Sequence, residues 1–289
     1  EIYMENLFPN LEIKEMINLQ TYFNEFDESR VRLVTEFVND LANYKAYNVF
    51  NPWGDADLEL DSSEEAPLQR RENLIAYLLP RLGHSSTIVV AEAVGYQGGR
   101  FTGIAITCER MLLGHHKQIE GTMICPVPLH RTSSTTSKLL KGIQREKGLN
   151  EPTDTVVWGA IKEANIDPYT VLLWNIFPFH PHKENEPLTN RTPTEQEQAV
   201  GWLYTKRLLE LNEQLHEPLC VTECSDRNVE GQAKQRTARN ATEKGPLILG
   251  VGQKSAETMS RFGISITPLR HPANGGANLY REGFKECLR

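Results

Sequence analysis

The sequence predicts an α/β protein: a three-layer αβα sandwich with a central, mostly parallel four-stranded sheet and extra N-terminal helices. Three observations lead there. Short β-branched runs appear without polar alternation, as in strands buried on both faces. Helical signals separate those runs, the order that builds a parallel sheet covered on both sides. Each run then breaks into a loop rich in Gly, Asn or Pro, and in such sheets functional loops gather at the carboxyl ends of the strands.

The elements follow in order. Apolar residues at helical spacing between 11 and 44, among them Val31, Leu33, Val34, Phe37, Val38 and Leu41, predict two N-terminal helices. The stretch from Asn51 to Pro67 combines Asn-Pro, Trp-Gly and an acidic run, which predicts a surface connection. Residues 1–67 are thus expected to form an N-terminal extension ahead of a 68–289 domain. Within that domain a helix is expected over 68–82, followed by strands at Ser86–Ala91, Tyr169–Asn175 and Pro246–Gly252. Pro193-Thr-Glu-Gln-Glu opens a helix running to about His216, with proline and acids at its first turn. A short helix over Gln253–Phe262 and a last strand over Ile264–Leu269 complete the pattern. The polar stretch 224–245 lacks large apolar residues and is expected to be an insertion or basic arm.

The net charge of -7 argues against a protein that coats nucleic acid by bulk electrostatics. Its distribution is uneven. Acids crowd the first quarter, and the last quarter carries Lys234, Arg236, Arg239, Arg270 and Arg281, either a polyanion-facing region or a solvated face. Cys108, Cys125, Cys220, Cys224 and Cys287 are scattered and expected to be reduced. Cys220 and Cys224 are four apart, but no second Cys/His pair completes a tetrahedral set, so no metal is expected. No apolar run approaches the ~18 residues of a membrane span, and no signal pattern opens the chain. A cytoplasmic monomer without a membrane partner is the expectation.

Three segments carry chemistry. Ala91-Glu-Ala-Val-Gly-Tyr-Gln-Gly-Gly-Arg-Phe-Thr-Gly103 sets glycines, one acid, an arginine and a phenylalanine after a strand. It matches neither the dinucleotide fingerprint nor the Walker pattern, though a phosphate cradle stays open as a reading. Asn175 ends an apolar strand, where its amide can read the edge of a base or cap a loop. His180 and His182 lack a third metal ligand and read as loop scaffolding. In Arg270-His-Pro-Ala-Asn-Gly-Gly276, a histidine braced by proline follows a strand directly, well placed to meet a ligand.

Together these segments resemble the uracil-DNA glycosylase superfamily over about 68–289. Glu92-Ala-Val-Gly95 is similar to the family's Gly-Glu-Ala-Pro-Gly loop, and His271-Pro272-Ala273 to its His-Pro-Ser or His-Pro-Ala motif. Arg191-Thr-Pro-Thr before Glu195 resembles the stretch ahead of a helix in bacterial branches. The resemblance implies a DNA-repair glycosylase that hydrolyses the N-glycosidic bond of a flipped-out deaminated base, uracil first. It implies that Phe101 stacks on the base, with Gly95 and Tyr96 beside it. Asn175 would read the base edge, His271 would donate to the departing oxygen, and Glu92 would be the catalytic carboxylate. For DNA it implies contacts from Arg100, Arg270, Asn274, Gly275 and Arg281, with Leu279 or Tyr280 as a wedge in the stack.

The departures from the family pattern point elsewhere. Ala91 and Val94 replace its usual glycine and proline. Ala93 stands at the place of the water-positioning aspartate in the most active branch, and Gly95 at that of its thymine-excluding tyrosine. No cysteine precedes Cys108, so no iron–sulfur cluster and no other cofactor is expected. A catalytically weak DNA-damage binding protein of the same fold, or a glycosylase for hypoxanthine or mispaired thymine, is the alternative.

Overall fold

The computed structural model describes residues 19, 21–216 and 245–289. The Cys220/Cys224 pair, the basic residues Lys234, Arg236 and Arg239, most of the expected insertion and most of the first expected helix lie outside them.

Helix α1 (Glu28–Leu41) starts at Asp27, whose carboxylate accepts from the Ser29 and Arg30 amides and so satisfies two orphan donors of the first turn. Its buried face carries Val34, Phe37, Val38 and Leu41. Arg30 on the same helix is buried and donates to the carbonyls of Leu79, Leu82 and Leu215. A cation thus meets the helix ends where carbonyls lack partners. A two-residue strand β1 (Val49–Phe50) follows, then α2 (Ala66–Leu78), with proline at its first turn. The connection between them is not a surface segment. Trp53, Leu60 and Asp61 are buried, because the Trp53 indole donates to Gly103 O and Asp61 receives a bidentate Arg70 at 2.9 and 3.1 Å.

The four-stranded sheet has the order β3-β2-β5-β6, all neighbours parallel. Its strands are β2 (Thr87–Ala93), β3 (Val171–Phe177), β5 (Leu247–Val251) and β6 (Thr267–Leu269). All seven residues of β3 are buried, as its unbroken apolar sequence requires. Beside β3, Tyr77 of α2 accepts from Leu173 N–H at its hydroxyl, and Arg81, just past the helix end, donates from Nε to Val171 O. A short pair, β1 with β4 (His180–Pro181), is antiparallel.

Between β2 and β3 lie α3 (Gly99–Thr102), α4 (Glu109–Leu112), α5 (Gly142–Lys147) and α6 (Pro152–Glu163). Helix α7 (Glu195–Gln214) begins with a reciprocal capping box between Thr194 and Glu197. Helices α8 (Gln253–Arg261) and α9 (Ala277–Cys287) complete the layers that sandwich the sheet. Among the described residues no helix is long and apolar enough to cross a membrane.

Candidate active site

A parallel sheet delivers every strand's carboxyl end to one side, and here the ends of β2, β3 and β5 and the loop after β6 enclose a cleft of about 390 Å³. Ala91 pairs with Asn175 in register, which sets Glu92 beside the asparagine. Asn175 is 2% exposed and its Nδ2 donates to Ala93 O at 2.9 Å. That carbonyl fixes which end of the amide is nitrogen, since a reversed amide would set two acceptors face to face. Asn175 Oδ1 is left buried with no hydrogen-bond partner.

His271 also lines the cleft. Its Nδ1 accepts from the Ala273 amide at 3.1 Å, so in the neutral ring the proton sits on Nε2. Burial, and then the neighbouring Arg270 charge, hold its pKa below the ordinary histidine value. Near neutral pH the ring is therefore an uncharged donor. Gly252, with φ of 87°, makes room for it: a Cβ there would come within 3.2 Å of His271 Cβ. Glu92 is half-buried, its Oε1 has no partner, and burial raises its carboxyl while Lys254 opposes the rise.

Two further carboxylates line the cleft at the start of α6. Glu151 is the N-cap, and Asp154, 3% exposed, sits in the first turn. Burial pushes both above the ordinary carboxylate range, and Glu151 raises Asp154 further by repulsion. Asp154 Oδ2 is buried against Gly98 without a hydrogen-bond partner. Sequence reasoning missed both, because a proline and an acid in a first turn read as an ordinary helix start.

The expected residues divide. Glu92, Gly95, Asn175 and His271 meet around the cleft. Phe101 does not: it is 0% exposed and packs in a separate apolar cluster with Leu60, Leu140 and Leu149. The larger apolar lining residues are instead Val94, Ile106 and Val251, of which Ile106 is a β-branched residue held at φ of 51° with its carbonyl accepting from the Trp158 indole. That conformation is costly for a branched side chain and persists only where its surroundings enforce it. Tyr96 stands outside the lining, its amide donating to Asn190.

Arg100 is likewise no phosphate contact. It is fully buried, bridges to Asp57 at 2.7 Å and lies 4.1 Å from the centroid of the Phe50 ring. Arg281 is half-buried and pairs with Glu163. Tyr280 is buried, stacked on Phe284, so of the two wedge candidates only Leu279 is exposed, at 57%. Arg270, Asn274 and Gly275 are exposed, with the last two at φ of 54° and 76°. His180 and His182 hold loops: their rings meet the carbonyls of Thr189 and Lys183, and burial pushes the His180 pKa down to about 3.

No protein-family model and no curated protein matches the chain. Among solved structures it is similar to wild-type SMUG2 of Pedobacter heparinus. The TM-score is 0.52 at 12% identity, over 90% of this chain and 96% of that one. The two proteins share a fold.

Proposed function

We propose that the chain is a monofunctional DNA glycosylase that hydrolyses the N-glycosidic bond of a base flipped out of DNA, with a deaminated base such as uracil as the reference substrate. The observation that carries this is that Asn175 and His271 line one cleft, Asn175 with a buried acceptor that has no partner and His271 with its Nδ1 taken by the Ala273 amide, which leaves Nε2 as the donor of the neutral ring. A glycosylase must read the edge of an extruded base and support a leaving group that departs as an anion. In this reading Asn175 Oδ1 accepts from a ring N–H, and its remaining amide proton serves a ring carbonyl. His271, neutral, donates from Nε2 to the departing oxygen. Glu92 accepts a proton from the attacking water. Arg270 meets phosphate, and Leu279 fills the gap in the stack.

Incubation with a labelled uracil-containing oligonucleotide, followed by alkali, tests the reading. Scission is expected on single or double strands, falling roughly 100- to 1000-fold in Asn175→Ala and His271→Ala, the usual cost of a transition-state hydrogen bond. Absence of scission at high enzyme for uracil, hypoxanthine and mispaired thymine sinks it. Ala93, whose methyl side chain cannot position a water, favours a second reading, a protein that binds damaged DNA without turnover. Tight binding to abasic DNA in the absence of any scission is the outcome that selects it.

A further inference from the structure

We propose that the segment 138–147 is a second contact with DNA, away from the cleft, in which Lys138 and Lys141 meet phosphates several nucleotides from the extruded base. The inference rests on the glycosylase reading above and adds where the flanking duplex is held.

In an acidic chain this segment is the exception. Residues 131–147 hold Arg131, Lys138, Lys141, Arg145 and Lys147 against Glu146 as the one acid. Two of the cations are fastened to backbone rather than to carboxylates. Arg131 donates to the carbonyls of Gln144, Arg145 and Glu146 at the end of α5, and Arg145 to those of Ser137 and Leu140. Helix-end carbonyls are satisfied and the segment is folded on itself, while its charge stays unneutralised. Lys138 and Lys141 are exposed, and among the described residues neither has an ion-pair partner. Of the acids on the neighbouring connection, Asp57 is taken by Arg100 and Asp61 by Arg70, and Glu59, Glu64 and Glu65 form no ion pair with either lysine. Leu139 and Ile143, set among these cations, are 55% and 47% exposed. Phosphate charge beside apolar sugar and base surface is what a nucleic acid offers such a face.

The segment is also anchored to the cleft. Leu140, 3% exposed, packs in one cluster with Phe101 and Leu149, and Leu188 packs against it. Gly99, Glu151 and Asn190, each two residues from one of those three, line the cleft. Two residues span at most ~7 Å and packed side chains touch within ~4.5 Å. Lys141, next to Leu140, therefore stands within a distance on the order of 20 Å of the cleft, or about six nucleotides at ~3.4 Å each.

Fluorescence anisotropy over a salt series, on a duplex with one abasic site and about ten base pairs on each side, compares wild type with Lys138→Ala/Lys141→Ala. Affinity is expected to fall roughly tenfold at low salt, and the slope of log K against log salt to flatten by about 2, at ~0.9 per phosphate lost. Lys45→Ala/Lys206→Ala removes the same charge elsewhere and is expected to leave the slope within about 0.5 of wild type. The duplex is then cut to about two base pairs on one side of the lesion or the other. The difference between wild type and variant is expected to vanish with one of the two cuts and survive the other. An unchanged slope in the Lys138/Lys141 variant, the result a protein partner for this face would give, overturns the inference. So does equal flattening in the control pair, or a difference that survives both cuts. In each of these cases base release by the wild type leaves the glycosylase reading standing. A wild type that neither binds the duplex nor releases any base overturns both. Thermal melting establishes that the variants fold, and Lys138→Gln/Lys141→Gln replaces the alanine pair if that pair does not.

Discussion

Asp154 is a carboxylate that folding removes from water and places beside a second acid, and that has a consequence for stability. Its folded pKa lies above its unfolded one, so the folded state binds the proton more tightly. Between the ordinary carboxylate range and the raised value, each step up in pH costs the folded state more. Below the unfolded pKa both states are protonated and the cost vanishes. Asp154→Asn is therefore expected to melt several degrees above wild type at pH 8, at about 2–4 °C per kcal/mol relieved, with the gap closing towards pH 4. Differential scanning fluorimetry across that range checks it; a variant melting lower at pH 8 refutes the sign. The same residue marks a limit of sequence reading. Asn175 and His271 were legible because one lies near the end of an apolar strand and the other two residues past a strand, whereas Asp154 was hidden in a helix start. The Phe101 expectation failed for a related reason: the short helix and turns after β2 carry that ring into a separate apolar cluster, which no spacing in the sequence shows.

At the scale of elements, the strands were readable because a parallel sheet buries both faces and leaves an unbroken apolar run. The strand expected at 169–175 lies at Val171–Phe177, and that expected at 246–252 at Leu247–Val251. Helices α3 and α4 have four residues each, too few to show a helical period. Helix α7 was readable from its cap, yet its seat on the sheet depends on a residue that weakens helices. Gly201 lies in its interior, where a Cβ would come within 2.3 Å of Ile176 O on β3. Glycine costs a helix ~1 kcal/mol relative to alanine, so on propensity alone Gly201→Ala should stabilise. The close approach wins, because the atom in the way is backbone. Thr205 Oγ1, which receives the Trp174 indole one turn along, would move with the helix. A loss of about 1–3 kcal/mol is expected, the range for forcing extra methyl volume into a packed interface. The urea midpoint measures it, and an unchanged or higher midpoint would show that α7 can lift without cost.

For the whole molecule, the question is how an acidic body approaches a polyanion. The net charge is -7, and Arg100 and Arg281, expected to meet phosphate, are spent on Asp57 and Glu163 within the fold. Among the described residues, Lys254 is an exposed cation on the cleft lining, and Arg270 is exposed together with the loop holding Asn274 and Gly275. The amino-terminal ends of α6 and α8 also border the cleft, bringing two positive dipole ends to a wall that carries Glu92, Glu151 and Asp154. Those dipoles offset the acids locally and do little at long range, since their influence falls off within a turn. Affinity should then come from the extruded nucleotide more than from the phosphate backbone. The slope of log K against log salt is about -0.9 per phosphate neutralised on duplex DNA, so three or four contacts imply a slope no steeper than about -4. Fluorescence anisotropy over a salt series measures it on abasic duplex. A slope of about -6 or steeper would assign binding to cations beyond the described residues, Lys234, Arg236 and Arg239 foremost, and would remove the cleft from its place as the main source of affinity.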